Sequence, residues 1–311
     1  MADWKRGAIE MAEQPGISVD DIRQVQDYVR REFSSLVRPL KSIAYHYTSG
    51  AAAAKILDQG KIRATNILYM DDGREMRHSL DYFRRAMAMR LENRPGPTSS
   101  ALNDIIAQYL SEVGGTVPPD IWIATLTTVR ESADQWWPIP PDGHGVALGF
   151  SAAGLSRAAE NGGVLLAPCC YDDATKLAIM GRGLEVLERL YERRPRRADA
   201  EPLVRYVVRE LALFGALMKQ SALAHEDEWR LILCNPSQTA VGARRITALP
   251  KSDYTALYID IDLADAAGKV PIADVLIGPS PMQQMTARAF RTLLYKHSYE
   301  HIEVASFHPT P

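Results

Sequence analysis

Residues 44–66 read AYHYTSGAAAAKILDQGKIRATN, and within them the chain changes period. Alternation puts Ala44, His46 and Thr48 on one face of a strand and Tyr45 and Tyr47 on the other. Ala51 to Leu57 are good helix formers, Thr48 or Ser49 suits the N-cap, and Gly60 suits the left-handed residue that closes a helix. A second strand comes directly after it. The segment is therefore a strand–helix–strand unit with an imidazole and a hydroxyl projecting the same way.

Working outward, Val19 to Val37 carries apolar residues at helical spacing, a helical lead that packs on the domain after it. Asp71 to Glu92 and Leu102 to Val113 also read as helices. Two further long helical segments between Leu184 and Lys219 flank the basic turn RRPRRAD. IWIATLT, GVALGFS, VLLAPCCYD, WRLILC, LYIDID, DVLIGPS and IEVASF read as strands, with a helix over MTARAFRTLLYKH. Ser280, Pro281 and Gln283 fit a capping box at the start of that helix. Strands and helices are interspersed without strict alternation, which predicts an α+β fold. The organisation expected is a helical lead over residues 1–41 and one α+β domain over residues 42–311.

The 311 residues suffice for a large core, and 46% are hydrophobic. With 36 basic and 38 acidic residues the net charge is -2, which excludes a global pull toward nucleic acid or anionic membrane. Three cysteines, two of them adjacent at 169 and 170, argue against a disulfide framework and for a reducing cytoplasm. No apolar run approaches a membrane span, and the N-terminus lacks a signal-peptide pattern. A cytoplasmic protein with no membrane association is expected, with export by a route lacking a cleavable signal left open. Nothing in the sequence sets the oligomeric state.

Three segments carry candidate chemistry. His46 and Thr48 lie in the opening strand. Ser132 could cap a short helix bearing Trp136 and Trp137, of which one enters the core while the other lines a cleft. In HEDEWRLIL, residues 225–233, Glu226 and Glu228 sit two apart at the mouth of an apolar strand, so both carboxylates project to one side. Such a pair can divide labour, one steadying a developing cation and the other orienting or deprotonating a nucleophile.

In this order the segments resemble the ADP-ribosyltransferase superfamily. His46 and Thr48 match the His-Gly-Ser/Thr element of its poly-ADP-ribose polymerase branch, with Tyr47 in place of glycine. Ile56, Leu57 and Gly60 match the helix that comes after that element. Ser132 and Trp136 match a serine and a ring that packs on nicotinamide, where tyrosine is usual. Glu226 and Glu228 match the Glu-x-Glu of arginine-directed transferases. From Tyr45 to Phe307 the chain also resembles a bacterial domain-of-unknown-function family numbered 2971, through HYT, QWW before GHGVALGF, Lys219 ahead of EDEWRLIL, and VLIGPS.

The resemblance implies a split β-sheet core with helical insertions and NAD as substrate, without a metal. Glu228 would be the catalytic carboxylate and Glu226 the group that orients or activates a nitrogen or oxygen nucleophile. His46, Tyr47, Thr48, Ser132 and Trp136 would bind NAD, His46 holding the distant ribose and Trp136 the nicotinamide. Lys61 or Arg63 could meet the pyrophosphate. The acceptor implied is macromolecular, protein rather than nucleic acid, with NAD hydrolysis left open beside transfer, and the role that of a toxin, effector or phage-defence factor.

Two alternatives stand beside this reading. One is a catalytically silent fold of the same kind that binds a nucleotide or a partner protein. The other is a zinc hydrolase, since HSYEH at 297–301 fits an H-x-x-E-H pattern. That chemistry needs one helix through both histidines, yet the chain turns into a strand immediately after them.

Overall fold

The computed structural model describes residues 17–70, 74–93, 95–116, 120–136, 145–193, 197–234, 245–250 and 253–308. Trp137, the extreme N-terminus and the middle of the basic turn at 193–197, all read from the sequence above, lie outside the described residues.

The opening unit forms as its sequence dictates. Strand β1 (Ala44–Ser49) runs into helix α2 (Gly50–Gln59), where the Ser49 side chain accepts from the Ala52 amide and Gly60 closes the helix at φ 67°. Strand β2 (Lys61–Asn66) follows directly. A Cβ on Gly60 would come within 2.7 Å of Ala264 Cβ, because the amides of Leu263 and Ala264 both donate to the Gly60 carbonyl. Gly60→Ala is therefore expected to destabilise the fold by at least about 1–2 kcal/mol from the left-handed backbone alone. An unchanged urea midpoint would contradict this.

The remaining strands are β3 (Ile121–Thr127), β4 (Gly145–Phe150), β5 (Leu165–Pro168), β6 (Glu228–Cys234), β7 (Thr247–Pro250), β8 (Thr255–Asp262), β9 (Ile272–Ile277) and β10 (Val304–Ser306). They join β1 and β2 in a ten-stranded sheet ordered β10-β9-β4-β1-β3-β2-β8-β7, with β6 on β3 and β5 on β6. Every pairing is antiparallel except β9 with β10. The long helices are α1 (Val19–Leu36), α3 (Arg74–Asn93), α4 (Pro97–Thr116), α6 (Ala152–Gly162), α7 (Asp173–Glu192), α8 (Arg197–Gly215) and α9 (Gln283–Lys296), with a single turn α5 at Ala133–Trp136. The fold is α+β, as the interspersed pattern predicted.

Helices cover both faces of the sheet. On one side Ala53, Ile56 and Leu57 of α2, Leu155, Ala158 and Ala159 of α6, and Ala287, Phe290 and Leu294 of α9 pack with Trp122, Leu126, Leu148, Phe150 and Leu231. On the other, α1, α3, α4, α7 and α8 share a core of their own. Ile67, Ile121, Ile123, Leu217 and Ile232 join that helical body to the sheet. The lead helix is built into this body. Its Tyr28 hydroxyl donates to the Ile179 carbonyl at 2.6 Å, and Arg182 forks onto the buried Glu32 carboxylate.

Helix α6 and strand β7 went unread in the sequence, and the 102–113 helix extends to Pro97–Thr116. The helix start differs from the expected cap at Ser280. Helix α9 begins at Gln283 with Met282 as N-cap, Ser280 Oγ accepts from the Met282 amide at 3.2 Å, and the Gln283 side-chain amide donates to the carbonyls of Ile277, Gly278 and Phe307. The Gln283 side chain thereby ties the end of β9 to Phe307, just beyond β10.

Candidate active site at the fork of the sheet

One edge of β3 is shared by two strands. β6 takes the whole of the other edge, from Ile121↔Cys234 to Thr127↔Glu228. On the shared edge β2 pairs at Ile123 and Trp122, and β1 pairs at a single position, Tyr45↔Thr127. Between them β1 swings away to β4, so the sheet forks beside Thr125. The Thr125 carbonyl lies in that gap, and His46 Nδ1 meets it at 2.9 Å. A buried carbonyl without a partner is costly, so the imidazole completes the fork.

Burial pushes the His46 imidazole below its ordinary 6.5, and the bond to Thr125 offsets only part of that. The neutral ring then donates from Nδ1. Because the folded state binds fewer protons than the unfolded chain, this contribution is present above about pH 6.5 and is lost as pH falls through the lowered folded value. His78, also lowered first by burial, adds in the same sense. His46→Gln, which can still donate to Thr125, should show a shallower fall of the urea midpoint between pH 7 and pH 5 than the parent chain. Equal slopes would assign the dependence elsewhere.

The carboxylates lie on the other face. Tyr45, Thr127 and Glu228 are cross-strand partners, so their side chains share a face, and by alternation His46 and Thr48 point away from it. Glu226 is not in the strand. It ends a 3₁₀ turn (Ser221–Glu226), and Asp227 reverses the chain at φ 37° before β6 begins. The pair is brought together by Lys219, whose ammonium bonds both Glu226 and Glu228. The expected convergence is present, but strand alternation is not its cause.

Glu228 is 7% exposed and densely held. Arg230, fully buried two residues on, donates from Nε to Glu228 Oε1 at 2.6 Å and from Nη1 to the Ala216 carbonyl at 2.7 Å. The Cys169 thiol lies 3.7 Å from the same carboxylate oxygen, and the Glu228 amide donates to the Tyr171 hydroxyl at 2.9 Å. Burial alone would raise the Glu228 carboxyl. Arg230 and Lys219 outweigh it and hold the group below the usual carboxylate range, so it is ionised at neutral pH. Burial would likewise lower Lys219, but the Glu228 and Glu226 carboxylates keep its ammonium above the ordinary value.

The other two segments converge on the end of β3, next to this cluster. Thr127 Oγ1 donates to the Glu226 carbonyl, and Thr128 bonds the Asp227 carboxylate. Immediately beyond, the Tyr47 hydroxyl donates to the Arg130 carbonyl, and burial pushes that phenol up to about 12 despite a backbone hydrogen bond from Ser132. His225 and Asp134 approach to 3.5 Å, linking the 3₁₀ turn to α5. Arg130 in turn clamps the Asp274 carboxylate, which also accepts from the Tyr45 hydroxyl at 3.0 Å.

Trp136 is 7% exposed, packed with Tyr45, Ala147, Leu276 and Phe307 and lying edge-on to Tyr47 at 4.5 Å. It fills the space above Gly278, where a Cβ would come within 2.7 Å of its ring. Trp136 therefore enters the core, supports Tyr47 from beneath and does not itself offer an open ring face. Thus Glu226, Glu228, Tyr47, Ser132 and Trp136 gather at one end of β3, while His46 and Thr48 lie across the sheet. Lys61 pairs with Asp262 and Arg63 lies over the Tyr258 ring.

Sequence reasoning singled out neither Arg230 nor Tyr171 and Cys169, and gave Lys219 no chemical role. Arg230 had a signal: in EWRLIL it shares a strand face with Glu228 inside an apolar run, the pattern of a buried ion pair. The HSYEH segment lacks the helix it would need. Helix α9 ends at Lys296, Ser298 is left-handed at φ 58°, and His297 Nε2 is engaged with Asp58 at 2.8 Å. Among the described residues no group of three or more His, Cys, Asp or Glu side chains is placed to hold a metal ion, and no helix is long and apolar enough to cross a membrane.

Comparison with protein-family models, curated proteins and solved structures returned no match to this chain.

Proposed function

We propose that the chain cleaves NAD at the nicotinamide glycosidic bond and transfers ADP-ribose to a macromolecular acceptor, protein before nucleic acid, using an ADP-ribosyltransferase-like split sheet. The observation that carries this reading is the Glu226–Lys219–Glu228 bridge at the entrance of β6, beside the β3 end where Tyr47 and Ser132 also pack. Cleavage develops positive charge on the ribose, and a buried carboxylate held ionised at neutral pH, such as Glu228, lowers the energy of that state without reorganising. Glu226, at the exposed end of the bridge, orients the nucleophile. Tyr47 replaces Trp136 as the ring nearest the nicotinamide, and His46 acts through the backbone of β3, not on the ribose.

The test is incubation with NAD labelled in the adenosine half, a cell lysate and excess chelator. A labelled macromolecular fraction that protease removes and nuclease leaves intact supports transfer to protein. A second reading, a silent nucleotide-binding fold, is favoured by the fact that both Glu228 oxygens already have cationic partners. Saturable NAD binding with no nicotinamide released would select it.

A further inference from the structure

The charge balance at the bridge bears on what accepts the ADP-ribose. Glu226 and Glu228 are matched by Lys219 and Arg230, so the cluster carries no net charge despite holding two carboxylates. Arg230 is fully buried and anchored to the Ala216 carbonyl, and the Lys219 side chain is only 10% exposed. The loop carrying Lys219 is fixed as well, its amide donating to the Cys170 carbonyl at 3.1 Å while the Cys170 amide donates to the Leu217 carbonyl. Lys219 is therefore a built part of the site and not a surface side chain resting on it.

We infer that the acceptor is an uncharged oxygen nucleophile, a hydroxyl or water, and not a guanidinium. This rests on the NAD-cleaving half of the reading above; a hydroxyl acceptor narrows the transfer half, and water as acceptor would replace it with hydrolysis. A guanidinium titrates at roughly 12.5 or higher and must shed a proton before its nitrogen can attack, which requires an unneutralised carboxylate against it. Here the Lys219 ammonium already takes Glu226 Oε2 and neutralises the carboxylate, so a second cation brought against it meets a like charge. A neutral hydroxyl meets no like charge and needs no prior ionisation. The bond from ribose C1′ to the nicotinamide nitrogen breaks, and its electron pair leaves with neutral nicotinamide. An oxygen lone pair then forms the new C1′–O bond, and the hydroxyl proton passes to Glu226 and on to solvent.

The experiment gives the full chain NAD with agmatine as the guanidinium probe, or methanol as the hydroxyl probe, and separates the products. Nicotinamide release unaffected by agmatine, with no agmatine adduct, is expected. Methyl ADP-ribose that grows with methanol identifies an open hydroxyl site, and ADP-ribose alone identifies water. Lys219→Met should gain an agmatine adduct, whereas Lys219→Arg, which keeps the cation, should not. An agmatine adduct as the main product of the parent chain overturns the inference while leaving NAD cleavage intact. No nicotinamide in any arm removes the NAD reading and this inference with it.

Discussion

Replacing Arg230 with methionine should destabilise the fold by about 3–5 kcal/mol, the penalty for stripping one partner from a buried ion pair. Arg230 is fully buried, and its loss takes a charged hydrogen bond from Glu228 and the donor from the Ala216 carbonyl. Lys219 alone would then face both carboxylates. Adding Glu228→Leu to Arg230→Met should recover most of the loss, because an apolar pair of similar volume carries no desolvation penalty. Urea unfolding of the parent, single and double variants reads this directly. A single variant within about 1 kcal/mol of the parent would mean the cluster is wet, since exposed pairs contribute no more than that.

Glu228→Gln should reduce nicotinamide release from NAD by at least ~100-fold, the usual consequence of losing one preorganised charge-stabilising group. Glutamine keeps the side chain's shape and can still accept from Arg230, so the variant remains testable as a folded protein, verified by near-ultraviolet circular dichroism below its melting temperature. The substitution is not structurally silent, however, because it leaves Lys219 and Arg230 sharing the single charge of Glu226. Unchanged release in a folded variant would take Glu228 out of the chemistry and leave it a purely structural ion-pair partner.

Legibility in the sequence tracks the range of the interactions. The β1–α2–β2 unit is specified locally by alternation, a serine cap and a left-handed glycine, and it forms as read. Helix α6, in SAAGLSRAAENGG, buries only Leu155, Ala158 and Ala159, too faint an apolar stripe to stand out from a loop. The resemblance implied a split sheet, but the position of this fork was not legible, because it depends on β1 and β2 competing for one edge of β3, a choice of register between distant segments. For that reason His46 read as a ligand contact when its ring completes the Thr125 carbonyl. Glu226 and Glu228 were visible as a pair. The cation that joins them was not given that part, since Lys219 reaches them only through the turn after α8 and the backbone bonds at Cys170. The sequence expects one of Trp136 and Trp137 in the core, and only packing against Tyr47 and Phe307 shows that Trp136 is buried.

Nicotinamide release by the purified chain, followed by chromatography with NAD and chelator present and no lysate, tests the proposed NAD cleavage at the Glu226–Lys219–Glu228 bridge most directly. Release that saturates with NAD in the parent chain and is lost in Glu228→Gln is the expected result. Intact NAD after prolonged incubation with folded protein, together with no saturable binding by calorimetry, would contradict it.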